Sequence, residues 1–213
     1  MAIIDSRILT DRAYDTIKQM IQDGVLRPGA KINKRQLENL LGVSQTPIND
    51  ALNRLTGRRF IEQRQRRGYY VRRYSCKEII DLFAARGAVE GMATRLAVDN
   101  ASEADIAQLV RSFDGFKFPL TETEYAKYEK ADREFHSSLI RLSENDMIRE
   151  MNEEFGYIVK AATKGLIRPP EETITEHQAI IGAIQTRSAK LAEDLMVEHH
   201  MRTRRYLIET CAD

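Results

Sequence analysis

Three histidines and one aspartate of this chain could hold a metal ion. Asp132 and His136 stand four residues apart and so share one face of a helix. Tyr128, Phe135 and Leu139 fall on the same face, which therefore points inward. His177 is in phase with Ile180, Ile181 and Ile184, and His199 with Leu191, Leu195 and Arg202. Three histidines and an aspartate on inward faces of three helices can converge inside a bundle. Buried polar groups need partners, and a divalent ion satisfies all four together. Nitrogen and oxygen donors without a thiolate suit zinc first, and also nickel, manganese or iron. The plainer alternative is that each histidine hydrogen-bonds a neighbour in the core. His200, the fourth histidine, is turned roughly 100° from His199 and is expected at the surface.

A second constellation suits nucleic acid. Residues 43–55 read VSQTPINDALNRL. Ile48, Ala51, Leu52 and Leu55 make one apolar helix face. The opposite face carries Gln45, Thr46, Asn49, Asn53 and Arg54, which can reach base edges and phosphates. Ser44 is placed as the N-cap and Pro47 in the first turn. Upstream, Asn33 with Gln36 starts a short helix from Lys34 to Leu41, which Gly42 ends in a tight turn. Helix, glycine turn and polar-faced helix form a helix-turn-helix. Lys34 and Arg35, opening the first of these helices, join the candidate DNA contacts.

The flanking elements must position that pair. Tyr14, Ile17, Met20 and Ile21 predict a helix over residues 9–23, followed by the turn Pro28-Gly29. Phe60-Ile61 and Tyr69-Tyr70-Val71 predict two short strands. Between them Glu62 to Gly68 forms a basic hairpin, with Arg66, Arg67 and Gly68 as further DNA candidates. The hairpin turns the motif into a winged helix.

The rest of the chain predicts helices only, six of them, at roughly 76–100, 102–113, 121–143, 146–164, 171–187 and 188–210. Phe118-Pro119 and Pro169-Pro170 interrupt the pattern, and Ser102 with Asp105 makes a capping box with Asp in place of Glu. The expected fold is mostly α: a winged helix-turn-helix over residues 1–75 and an all-helical bundle over 76–213. The junction, residues 72–77, is short enough to transmit motion.

Charge divides the same way. Residues 1–75 hold 15 Lys and Arg against 7 Asp and Glu, while the remaining 138 hold 18 against 25. A basic head on an acidic body is an electrostatic footprint for nucleic acid at one end. Cys76 and Cys211 are too few for a disulfide framework and are expected as free thiols in a reducing cytosol. No apolar run reaches membrane-spanning length, and residues 1–12 lack a signal-peptide core. A cytoplasmic location and no membrane partner are expected.

These motifs resemble the GntR family of transcriptional regulators. The residues that match are Gly24-Val25-Leu26-Arg27-Pro28-Gly29, Leu37, Leu41-Gly42-Val43-Ser44, Thr46-Pro47-Ile48, Ala51-Leu52, Leu55 and Gly68-Tyr69-Tyr70-Val71. Arg35 matches a DNA-contacting position of the family. Gln45 and Asn49 stand where the family commonly has Arg, which shifts the expected base preference from guanine toward adenine. The body resembles the FadR-type, VanR-like effector domain. Its metal-binding members carry D-x-x-x-H, a His, and a further His 22 residues on; Asp132, His136, His177 and His199 fit that spacing. Arg86, with Glu90, matches the family's R-x-x-x-E. The resemblance implies that Arg86, and less directly Arg202, clamps the carboxylate of a small organic acid bound at the metal. For Arg86 the alternative is an intrahelical pair with Glu90.

The expected function is a ligand-responsive DNA-binding regulator, a repressor, acting as a homodimer on a palindromic double-stranded operator. Two alternatives stay open: a metal-sensing repressor in which the ion is the signal, and a His/Asp metalloenzyme. Against the enzyme, no further acid/base pair is evident and the basic head would have no role.

Overall fold

The computed structural model of the chain describes residues 6–163 and 165–211. The chain divides into two compact units, Met1–Tyr74 with Tyr157–Ala162, and Ser75–Gly156 with Thr163–Asp213. The first unit takes in a stretch that the sequence reading assigned wholly to the second.

The first unit contains α1 (Ser6–Gln22), α2 (Lys34–Leu41), α3 (Gln45–Gly57) and the strands β1 (Ile61–Arg64) and β2 (Gly68–Val71). Asn33 caps α2 by accepting from the amides of Arg35 and Gln36. Gly42 stops it in the left-handed region at φ 65°, a conformation that disfavours a Cβ. Ser44 holds the extended N-cap backbone of α3, but its side chain makes no capping bond. Ile48, Ala51, Leu52 and Leu55 are fully buried against Ile17 and Phe60. The hairpin is antiparallel, with Ile61 opposite Val71 and Arg64 opposite Gly68. Residues 62–64, expected in the loop, are strand, and the turn is only Gln65 to Arg67. The backbone of residues 29–32 also pairs with β2, through Gly29 to Val71 (2.8 Å) and Ile32 to Tyr69 (2.9 Å). This third sheet edge has no sequence signal beyond its Pro-Gly turn.

The second unit contains α4 (Cys76–Asn100), α5 (Glu103–Arg111), α6 (Glu122–Leu142), most of α7 (Asp146–Ala162), α8 (Pro170–Gln185) and α9 (Ala189–Thr210). Capping boxes open three of them: Ser75 with Glu78, Ser102 with Asp105, and Thr121 with Glu124. Tyr128, Phe135, Leu139, Ile180, Ile184 and Met196 fill the core. Among the described residues, no helix is long and apolar enough to cross a membrane.

Helices α4 and α9 lie antiparallel. Cys76, at the start of α4, and Cys211, just past the end of α9, form a disulfide with Cα atoms 5.8 Å apart. The expected free thiols are therefore corrected: the pair has a sequence separation of 135, and only the antiparallel packing brings the two together.

Gly91 allows the close approach of these helices. A Cβ there would stand 2.6 Å from Val197 Cγ2 and 3.4 Å from the Glu193 carbonyl oxygen. Gly91→Ala is expected to lower stability by about 1–3 kcal/mol through overpacking, despite the better helix propensity of Ala. Chemical denaturation of the two proteins checks this; a stabilised variant would mean that the helices separate freely.

Candidate functional site

The DNA-facing candidates form a linked patch on the first unit. Lys34 donates to Asn49 Oδ1 at 2.7 Å, and its ammonium lies 4.9 Å from the centre of the Tyr69 ring. The Tyr69 hydroxyl donates to Asn53 Oδ1 at 2.7 Å. Lys34, Asn49 and Asn53 thus come together, and Tyr69 joins them as a residue that sequence reasoning treated only as strand. Gln45, Thr46, Arg35, Arg66 and Arg67 are exposed, and Gly68 shapes the tip at φ 94°. Arg54 is committed elsewhere: it pairs with Asp11 at 2.5 Å and lies over the Tyr14 ring of α1.

Asn49→Ala is expected to relax base discrimination on the cognate site by about 1–3 kcal/mol. Arg66→Ala and Arg67→Ala should instead weaken binding to every sequence and each reduce the salt slope by about 1. Titrations of cognate and scrambled duplexes at several salt concentrations separate the two outcomes. Unchanged discrimination in Asn49→Ala would remove this face from the reading of bases.

In the second unit, α6, α8 and α9 bring three histidines together. One ligand atom from each of His136, His177 and His199 lies within 4.8 Å of the others, and all three residues are buried. Their ring centroids are 4.8–5.5 Å apart. Asp132 Oδ1 stands 3.5 Å from His177 Nε2. The His177 ring stacks on Phe113 at 4.7 Å, which fixes its plane.

Each of these three histidines has a partner on Nδ1, whereas Nδ1 of His200 is buried without a hydrogen bond. Glu90 Oε2 is 2.6 Å from Nδ1 of His136, Glu176 Oε2 is 2.7 Å from that of His199, and the Tyr128 hydroxyl is 3.3 Å from that of His177. Arg86 reaches Glu90 Oε1 through Nε (2.8 Å) and Nη2 (2.6 Å). Arg168 grips both oxygens of Glu176 at 2.9 and 2.8 Å, and Arg202 reaches Glu176 Oε1 at 3.1 Å and Glu198. The intrahelical Arg86–Glu90 pair is formed, and Arg202 is half exposed.

His200 is not at the surface. It is 1 % exposed, packed by Gly87 of α4, with Nε2 3.0 Å from Glu90 Oε2. It therefore corrects the expected outward orientation, since α9 is covered on two sides. Together with Glu90 and His136 it forms a second cluster of possible ligands. Glu90, Glu176, Tyr128, Arg168 and His200 are the site residues that sequence reading did not place. Glu90 and Glu176 left a faint signal, one in R-x-x-x-E and the other next to His177.

Burial sets the charge states. It pushes His177 well below the usual histidine range, helped by the neighbouring histidines. Burial lowers His199 despite its bond to Glu176, and brings His200 to about 3. His136 is the exception: burial opposes its proton, but the charge and hydrogen bond of Glu90 raise it. Burial works against Glu176 ionising as well, yet hydrogen bonds from His199 and Arg168 hold it at about 2. His177 Nε2 is buried without a hydrogen-bond partner. Such an orphan costs about 1–3 kcal/mol, and a cation would satisfy it. The donor set therefore fits a divalent ion: His177 and His199 favour the neutral form that metals require.

Comparison with known proteins gives the site its setting. Residues 81–202 match the FCD domain, and residues 9–71 match the bacterial regulatory proteins of the gntR family. The chain belongs to the GntR family. A Paenarthrobacter nicotinovorans regulator named "Probable D-xylose utilization operon transcriptional repressor" is 30% identical over 90% of this GntR chain and 85% of its own length. The Nta operon transcriptional regulator of Aminobacter aminovorans is 37% identical over 56% of this chain and 57% of its own length. Among solved structures, E. coli McbR/YncC aligns with a TM-score of 0.69 at 22% identity, covering 94% of this GntR regulator and 97% of that chain. A GntR regulator from Rhodococcus sp. RHA1 aligns at 0.72 with 19% identity, over 94% and 98%. The protein is a DNA-binding transcriptional regulator, not an enzyme.

Proposed function

We propose that this GntR regulator is a repressor whose grip on its operator changes when a small carboxylate or hydroxy-acid binds in the FCD domain. The effector is anchored at a divalent ion, zinc first, held by Asp132, His136, His177 and His199. The observation that carries this is the convergence of three buried histidines, one of them with an Nε2 that makes no hydrogen bond. A bound ion supplies positive charge for an anionic group in a site shielded from water. Arg86 and Arg202 are the proposed carboxylate contacts, the first 13 % exposed beside its Glu90 partner. The regulator works as a homodimer, which matches two reading heads to a palindromic site.

The test is a panel of small acids screened by thermal shift on zinc-loaded protein, because a ligand of the native state raises its stability. Acids that shift the melting temperature are then added to an operator-binding titration. Release of DNA by an acid, with zinc bound throughout, supports the reading. Release caused by zinc alone makes the ion the signal and overturns it.

A further inference from the structure

Two carboxylates beside the histidine cluster, Glu90 buried and Glu176 partly buried, are left unexplained by ligand binding alone. Glu90 is 2 % exposed and Glu176 has a side-chain exposure of 9 %. Glu90 lies between Arg86 and the histidines His136 and His200, and Glu176 between His199 and the arginines Arg168 and Arg202. On α4, Arg86 takes Oε1 of Glu90, while Oε2 meets His136 Nδ1 at 2.6 Å and stands 3.0 Å from His200 Nε2. On α8, Arg168 grips Glu176 with both amino groups, and Oε2 also meets His199.

The chemistry of this arrangement is directional. An ionised carboxylate only accepts hydrogen bonds. Both carboxylates are paired with arginine, Glu90 with Arg86 and Glu176 with Arg168, and so meet their histidines as acceptors. The imidazole nitrogen that faces a carboxylate must therefore carry the hydrogen. That nitrogen is Nδ1 in both His136 and His199. In a neutral imidazole the lone pair is then on Nε2. The partner of His177 differs, because the Tyr128 hydroxyl, itself 2.9 Å from Thr173 Oγ1, can donate or accept.

We infer that Glu90 and Glu176 are positioning residues that lock His136 and His199 with Nδ1 protonated and Nε2 offered to the cation. The inference rests on the metal reading above. Arg86 and Arg168 serve it by holding the carboxylates in place and offsetting their buried charge. The two frames stand on separate helices, so each sets its own histidine.

Zinc affinity, measured by competition with a chromogenic chelator, tests this on full-length protein. Glu90→Ala and Glu176→Ala are expected to bind zinc about 10–100-fold more weakly than the parent, the usual effect of removing an outer partner of a ligating histidine. Glu90→Gln and Glu176→Gln keep a carbonyl oxygen that can accept from Nδ1–H, so they should retain more affinity than the alanine variants and also serve as folding controls. Long-range 1H–15N spectra of the full-length parent before zinc is added should show His136 and His199 protonated at Nδ1. Alanine at position 90 should mix the tautomers of His136 and leave His199 as it was.

Parent-like affinity and spectra in both alanine variants would overturn the inference. So would a loss in Glu90→Gln as deep as that in His177→Ala, since Glu90 would then be a ligand itself, as its cluster with His136 and His200 allows. A parent that takes up no zinc fails the metal reading first, before any variant is compared.

Discussion

His177→Ala is expected to weaken zinc binding by more than about 100-fold, beyond the 10–100-fold effect of an outer partner. It removes the one ring nitrogen of the trio that is buried without a hydrogen bond. The variant should lose its response to the effector and keep its DNA binding, because the reading face lies on α3 and the hairpin. Elemental analysis and operator titration measure the two effects. Acid should mimic the mutation. Binding a metal requires neutral imidazoles, so affinity falls as pH drops. The fall begins on the high side of the usual histidine range, because Glu90 raises His136, while burial delays protonation of His177 and His199. His200→Ala should cost stability, since a fully buried ring is removed, but leave the metal in place. Equal metal loss from His200→Ala would transfer the ion to the Glu90, His136 and His200 cluster.

Loss of the disulfide is the second large effect. Cys76 and Cys211 close a loop with a sequence separation of 135 residues. Chain-entropy reasoning assigns such a loop about 4–5 kcal/mol, most of it through the unfolded state. Cys211→Ser should therefore lower the melting temperature of the oxidised protein by many degrees. A reductant should lower that of the parent to a similar value and leave the variant unmoved. If the parent and the variant melt together under oxidising conditions, the bridge contributes nothing to stability in solution.

Local signals carried most of the fold. The apolar period and the glycine turn placed α2 and α3, and the six helices of the body follow their periodicity to within about two residues at most ends. The convergence of His136, His177 and His199 was legible because helical phase decides which side chains point inward; Asp132 stands beside that trio, only partly buried. What failed was knowledge of the neighbours. His200 lies 100° from His199, which would mean solvent if α9 were covered on one side only. Gly87 and Gly91 let α4 cover a second side, and nothing in the sequence of α9 records that. The disulfide was hidden for the same reason. Glu90 read only as the helical partner of Arg86, and Glu176 only as the neighbour of His177, until His136 and His199 on other helices met them. At Arg54 the helix face was right, but Asp11 and Tyr14 on α1 engage the guanidinium.

Tyr157 has a consequence for how this protein can be taken apart. It is 1 % exposed, with its ring centroid 3.7 Å from that of Phe60, and it belongs to the first unit although it lies more than eighty residues beyond β2. The DNA-binding unit is therefore discontinuous in sequence. A fragment cut at residue 75 leaves Phe60 facing water where an aromatic partner should be, and a head grafted onto another body inherits the same gap. Tyr157 and Ile158 pack in the core of the head, so recombination between relatives that exchanges only the N-terminal segment separates parts of one core.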